Sequence, residues 1–204
     1  MFFDIGANIG KWSLDNIKYT DKIIAVEASP STFIKLQNFC NNKNIILLNY
    51  AVCDNDGKDI TFYNCHCDVL STLNRDWLTD KKSRFYNQSY NEVICKTITI
   101  DNLIKNYGVP ELIKIDVEGG EYECIKSLTS KVNEICFEWA SETNDITFKC
   151  LNYLKELGFK EFYVQNEDNY LFRPNENEYY DIDNTFKILN NSTPKVDWGM
   201  IWCK

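Results

Sequence analysis

Four acids at or near the ends of apolar runs carry the chemistry this chain can offer: Asp4, Glu27, Asp116 and Glu138. The first run, from Met1, leads through Asp4 into the small-residue turn Gly6-Ala7-Asn8-Ile9-Gly10. Gly6 and Gly10 have no Cβ, so the backbone there can come close to a ligand. Glu27 follows 23 positions after Asp4, with the glycine turn and a helix between them. That is the spacing of a nucleoside site whose second acid accepts hydrogen bonds from ribose hydroxyls.

A dinucleotide site would show G-x-G-x-x-G, so that pyrophosphate could rest on the helix N-terminus. Here the third glycine is missing, and Asp4 would repel phosphate. The pattern suits a ligand with a ribose, a positive charge and no phosphate. S-adenosylmethionine (SAM) has a ribose, a sulfonium and an ammonium group. An NAD(P)-linked oxidoreductase on a similar sheet is the competing enzyme class, and a non-catalytic SAM-binding domain is the competing binding module.

The second stretch is Leu112-Ile-Lys-Ile-Asp-Val-Glu-Gly-Gly-Glu-Tyr122. Lys114 and Asp116 alternate with Ile113 and Ile115, which places them on one face of a strand end. Glu118 continues past the edge. A lysine among carboxylates makes a poor core and a plausible wall for a sulfonium cofactor and a hydroxyl acceptor. Glu121 and Glu123 read instead as charges on the N-terminus of the next helix. Asp116, Glu118 and Glu138 have the oxygen donors that suit Mg²⁺, but no metal is predicted. The sole histidine, His66 in Cys65-His66-Cys67, lacks a second ligand pair at zinc spacing. It is a candidate general base in the loop expected to cover the site, weighed against an ordinary surface histidine. Trp77, Phe85, Tyr86, Tyr90 and Trp139 suit stacking on the apolar faces of a sugar, and equally a core.

These residues need strands to hold them. Met1 to Ile5, Lys22 to Glu27, Ile45 to Asn49, Glu111 to Asp116 and Asn133 to Trp139 are unbroken apolar runs of the kind buried on both faces of a parallel sheet. Helices are expected from Lys11 to Tyr19, from Ser29-Pro30 through Cys40, from Asp101 to Tyr107, from Gly120 to about Leu128 and from Asp145 to Leu157. Lys58 to Tyr63 and Glu92 to Ile100 read as further strands, as do Phe159 to Val164, Asn169 to Phe172 and Trp198 to Cys203. Asn64 to Asn91 shows no clear period apart from a helical stretch around Leu73 to Leu78. Asn175 to Thr193 reads as a polar loop. The alternation predicts an α/β sheet with its ligand beyond the carboxyl ends of the strands.

Composition narrows the partners. A chain of 204 residues with 44% hydrophobic residues reads as one domain, residues 1–204. A net charge of −8 with no basic patch argues against nucleic acid. No membrane span is visible. Nine cysteines, scattered and odd in number, indicate free thiols and a cytoplasmic setting. Because Asp4 already lies in the first strand, the domain is expected to be excised from, or fused within, a longer polypeptide.

Taken together, several motifs resemble those of the FkbM-type SAM-dependent methyltransferases. They are Phe3-Asp4-Ile5-Gly6-Ala7-Asn8-Ile9-Gly10, Ala25-Val26-Glu27-Ala28-Ser29-Pro30, Thr99-Ile100-Asp101-Asn102-Leu103, Leu112 through Glu121, and Leu157-Gly158-Phe159. The likeness runs from Met1 to about Val164, with a poor match over Asn64 to Asn91. It implies a Rossmann-like class I fold: a mostly parallel seven-stranded sheet, helices on both faces and a reversed last strand that Trp198 to Cys203 would supply. It also implies O-methylation, here expected on a carbohydrate or glycan hydroxyl, with a non-sugar small molecule as the alternative acceptor. On that reading Asp4, Gly6, Asn8 and Gly10 shape the cofactor loop. Glu27 holds the ribose. Ala28, Ser29, Val52 and Cys53 border the adenine, and Asp116 closes the cofactor site. Asp116 or Glu118 orients the acceptor hydroxyl or takes its proton, with Lys114 tuning their charge.

Overall fold

The short apolar runs become the centre of one sheet in the computed structural model, which describes residues 1–204. The first half of the chain contains β1 (Phe2–Ile5), α1 (Lys11–Asn16), β2 (Ile23–Val26), α2 (Pro30–Phe39), β3 (Ile45–Leu48), β4 (Ala51–Val52), β5 (Asp59–Cys65), α3 (Arg75–Thr79) and β6 (Tyr90–Ile98). The second half contains α4 (Ile100–Tyr107), β7 (Leu112–Ile115), α5 (Glu121–Ile125), β8 (Glu134–Ala140), α6 (Asn144–Glu156), β9 (Phe162–Asn166), α7 (Ile182–Asn190) and β10 (Trp198–Cys203).

The main sheet runs β3-β2-β1-β7-β8-β10-β9. β10 is antiparallel to both of its neighbours, and the pairings from β3 through β8 are parallel. Strand order therefore reverses between β1 and β7, and the crevice for a ligand opens there. Each face of the sheet has its own core. Phe3, Ile5, Ile24, Ile113, Ile135, Phe137 and Ile201 pack with residues of α4, α5 and α6. Phe2, Ala25, Leu112, Cys136 and Trp202 pack on the other face with Trp12 and Leu36. Alternation along each strand separates the two sets. A smaller sheet, β4-β6-β5, stands beside the main one.

The expected elements form, including a helix in the stretch 64–91, with three local differences. Thr99, rather than Asp101, caps α4: its side chain accepts the Asn102 N–H, while Asp101 accepts from Thr129. Asn169 to Phe172 is not a strand; it folds back so that the Tyr170 carbonyl accepts from Asn16 and Phe172 stacks on Tyr163. Residues 175–193 are not one loop, because Asp181 caps α7 and α7 buries Ile182, Thr185 and Leu189. Those apolar positions were spaced for a helix but sat among acids and asparagines that resembled loop composition. The aperiodic stretch 64–91 contains α3 and a 3-10 turn at Asp68–Leu70.

Candidate active site

The turn after β1 is built from left-handed backbone at Gly6 (φ 76°), Asn8 (φ 48°) and Gly10 (φ 85°). Both glycines are also required by close packing. A Cβ on Gly6 would lie 1.7 Å from the Asp116 carbonyl, and one on Gly10 would lie 2.7 Å from Leu36. Gly6 thus lets the end of β1 pack against the end of β7, and Gly10 seats α1 on α2. The turn's N–H groups all find partners within the protein. Gly6 and Ala7 donate to the Val26 carbonyl, Asn8 to Glu27, Ile9 to the Asn8 side chain, and Gly10 to the Ala7 carbonyl. None is left pointing at a pyrophosphate.

Glu27, just beyond β2, is 7% exposed. Its Oε2 accepts the Asn8 N–H at 2.9 Å and its Oε1 accepts the Ser29 N–H at 2.8 Å. Burial pushes its carboxyl up from 4.5 to about 7, against the lowering effect of those two N–H groups. Asn49 donates to the Glu27 and Ala28 carbonyls and so fixes the turn that carries them.

At the strand reversal, Asp4 and Lys114 are in register across β1 and β7. They are 0% and 3% exposed. Lys114 Nζ lies 3.3 Å from both Asp4 Oδ1 and Asp116 Oδ2, and donates to the Gly6 carbonyl at 3.1 Å. Burial disfavours the Lys114 charge, but Asp116 and Asp4 outweigh it and hold the ammonium protonated. Asp4 also accepts from the Ser13 hydroxyl at 2.7 Å. Its carboxylate therefore faces Ser13 and Lys114 and anchors the loop from below.

Asp116, Glu118 and Glu138 each bring a carboxylate oxygen within 4.8 Å of the others. The donor set would suit a divalent cation. Burial, then repulsion from Asp116 and Glu121, holds the Glu118 carboxyl well above the usual range. Burial, then repulsion from Glu118 and Asp116, does the same for Glu138. Glu118 adopts φ 58°, in the left-handed region. Its Oε2 accepts the Trp77 indole N–H at 2.9 Å, and its carbonyl accepts the Thr72 hydroxyl at 2.6 Å. Glu121, expected merely to charge a helix end, is buried and accepts the Val117 and Gly119 N–H groups. It fixes the turn on which Glu118 stands.

A cavity of about 710 Å³ joins these groups, within the size range of small-molecule and cofactor sites. One end is lined by Glu27, Ala28, Tyr50, Val52 and Phe62, and the other by Asp116, Glu118, Glu138, Trp77, Phe85 and Trp198. Gly6, Asn8 and Lys114 also line it. Asp4, Gly10 and Ser29 stand behind the lining: Asp4 supports Lys114, Gly10 seats α1, and Ser29 caps α2. Cys53 is buried behind Val52 and Trp139 is buried in the core, so neither reaches the space. His66 is not brought to the cluster; its side chain is exposed and off the lining, although Cys67, Asp68 and Val69 just after it are on the lining.

Sequence reasoning missed Asp168 and Tyr170, which line the same cavity from the segment after β9. Burial, followed by repulsion from Asp116, raises Asp168 to about 6. It also missed Arg84, which forms a bidentate pair with Glu142 and donates to the Asp197 carbonyl. Neither feature has a local signature, because both segments belong to the site only through tertiary contacts.

The strand order, the reversed β10 and the acid-lined crevice at the β1–β7 reversal define a Rossmann-like class I methyltransferase fold. Residues 4–161 match the methyltransferase FkbM domain family. The chain belongs to that family and is a methyltransferase. Among solved structures, it is similar to a precorrin-6y C5,15-methyltransferase from Geobacter metallireducens, at 12% identity and a TM-score of 0.50 over 100% of this chain and 78% of that one. It is also similar to a precorrin-8w decarboxylase from Methanobacterium thermoautotrophicum, at 10% identity and a TM-score of 0.51 over 100% of this chain and 80% of that one. At those identities the likeness is one of fold. No curated protein matches the sequence.

Proposed function

We propose that the chain is a SAM-dependent O-methyltransferase whose acceptor is a carbohydrate hydroxyl. One observation carries the reading: a single cavity holds the Glu27 carboxylate at one end and the Asp116–Glu118–Glu138 carboxyls at the other. The residues fit the cofactor. Glu27 has carboxylate lone pairs for ribose hydroxyls, and Ala28, Val52 and Phe62 form apolar walls for adenine. Asp116 and Asp168 offer negative charge to an ammonium group. The turn after β1 has no free N–H for a phosphate, which disfavours a dinucleotide.

When bound, SAM supplies a methyl carbon activated by its sulfonium. The chain's task is to align an acceptor oxygen with that carbon and to accept the hydroxyl proton. Glu118 and Glu138 are shifted toward stronger proton affinity, which suits a carboxylate base. This cluster would take the hydroxyl proton as the acceptor oxygen gained the methyl group, with the demethylated, neutral thioether as the leaving group. Trp77, Phe85 and Trp198 offer flat apolar surface beside the carboxyls, as a sugar ring requires. The cations lining the cavity are Lys11, Arg84 and Lys114; Arg84 and Lys114 are already paired with carboxylates. A neutral acceptor is therefore favoured over a phosphorylated one. Nine unpaired cysteines fit a cytoplasmic setting, and no helix is long and apolar enough to cross a membrane.

The test is calorimetric titration with SAM and with NADH, followed by transfer from methyl-labelled SAM to a panel of sugars, phosphorylated sugars and phenols. SAM binding and label on a neutral sugar are expected. Tight NADH binding without SAM binding overturns the cofactor assignment, and label on phenols alone overturns the acceptor.

A further inference from the structure

The stretch with the weakest sequence signal, 64–91, makes three consecutive side-chain contacts with the turn after β7. Thr72 Oγ1 donates to the Glu118 carbonyl at 2.6 Å, Asn74 Nδ2 donates to the Gly119 carbonyl at 3.1 Å, and Trp77 Nε1 donates to Glu118 Oε2 at 2.9 Å. Trp77 is 3% exposed and its ring packs edge-on against Phe85 at 5.2 Å, so the indole is held in place. Gly119 matches this arrangement. A Cβ there would meet the Trp77 ring at 3.4 Å, and its φ of 84° already excludes most side chains.

We propose that Trp77 is a positioning residue for Glu118: its indole N–H fixes the carboxylate in the cavity, where it can meet the acceptor hydroxyl. The inference rests on the catalytic reading of Glu118 given above. An indole N–H is a donor only. It can bond to Glu118 as a carboxylate but cannot accept a proton from Glu118 as an acid. The contact therefore opposes the burial and the neighbouring acids, which push this carboxyl above its ordinary range. Because Trp77 also lines the cavity, the wall that would meet the acceptor is tied directly to the candidate base.

Nuclear magnetic resonance tests the link without any substrate. The indole N–H resonance that disappears in Trp77→Phe should shift with pH in the wild-type protein, and that titration should vanish in Glu118→Gln. The Glu118 carboxyl midpoint, followed by carbon labelling, should rise by about one pH unit in Trp77→Phe, the equivalent of a tenfold change in proton affinity. Leu78→Ala serves as the packing control, because Leu78 is fully buried on the same helix and does not line the cavity. It should lower the melting temperature and leave the midpoint unmoved. An unmoved midpoint in Trp77→Phe, or an equal rise in Leu78→Ala, overturns the proposal. With an acceptor in hand, Trp77→Phe should lower kcat roughly ten- to hundredfold while leaving the Kd for SAM unchanged. Absence of methyl transfer in the wild-type protein would instead overturn the function proposed above, and the resonance titration would still decide the role of Trp77.

Discussion

Lys114 shows how one side chain can be structural and electrostatic at once. It is buried between two carboxylates that sit on adjacent strands and on the strand end beyond it. Removing one partner of such a buried arrangement leaves uncompensated charge. Lys114→Met should destabilise the fold by about 3–5 kcal/mol, as read by denaturant unfolding, even though its volume is nearly conserved. Asp116→Asn should remove most turnover at a smaller cost in stability, because Asp116 is half-buried, Asp4 still pairs with Lys114, and Asp116 lies at the reacting end of the cavity. His66→Ala should change turnover little, since the imidazole does not line that space. If His66→Ala alone abolishes transfer while SAM still binds, the assignment of the proton acceptor to the carboxyl cluster is wrong.

At the level of elements, the cavity has two kinds of wall. The floor consists of strand ends, whose residues could be named from apolar runs that terminate in acids. The roof consists of 68–85 together with the segment after β9, and both are tied down by side chains. Arg84 bonds to Glu142 and to the Asp197 carbonyl, which fastens the roof to the end of β8 and the start of β10. Glu142 is held below the usual carboxylate range by Arg84 despite burial. Arg173 stacks over Trp202 at 5.0 Å and donates to Asn16, which fastens the second segment to α1. Arg84→Ala should therefore raise the acceptor KM several-fold, leave the Kd for SAM unchanged and lower the melting temperature by a few degrees; parallel binding and melting measurements separate these effects. These segments carry no period because their residues answer to neighbours far along the chain, not to the residues three or four positions away.

For the molecule as a whole, the buried acids set a pH dependence. Glu27 and Glu121 are raised from 4.5 to about 7, chiefly by burial, and Glu118 and Glu138 move in the same direction. Between those two values the folded chain binds more protons than the unfolded one, so stability falls as pH rises. For Glu27 the full effect is on the order of 3 kcal/mol. The ligand-free protein should melt at a higher temperature near pH 5 than near pH 8, and thermal scans across that range check the sign. SAM should flatten the slope, because a bound cation favours the ionised carboxylates. A flat profile without ligand would mean that water reaches these groups.

While the reversed last strand was implied by the family resemblance, the chain's own order of residues was enough to determine an α/β sheet, the acid at the end of β2 and the Lys114–Asp116–Glu118 wall. Those features are local: apolar runs of strand length, a left-handed turn that admits glycine or asparagine, and acids placed where strands end. Only the tertiary structure decided that Gly6 and Gly10 make room for protein packing, that Asp4 supports Lys114 from beneath the site, that His66 faces solvent, and that Trp77, Arg84 and Asp168 belong to the cavity. Each of these depends on a contact between residues distant in sequence, and such contacts arise when the sheet is paired and its two faces are covered.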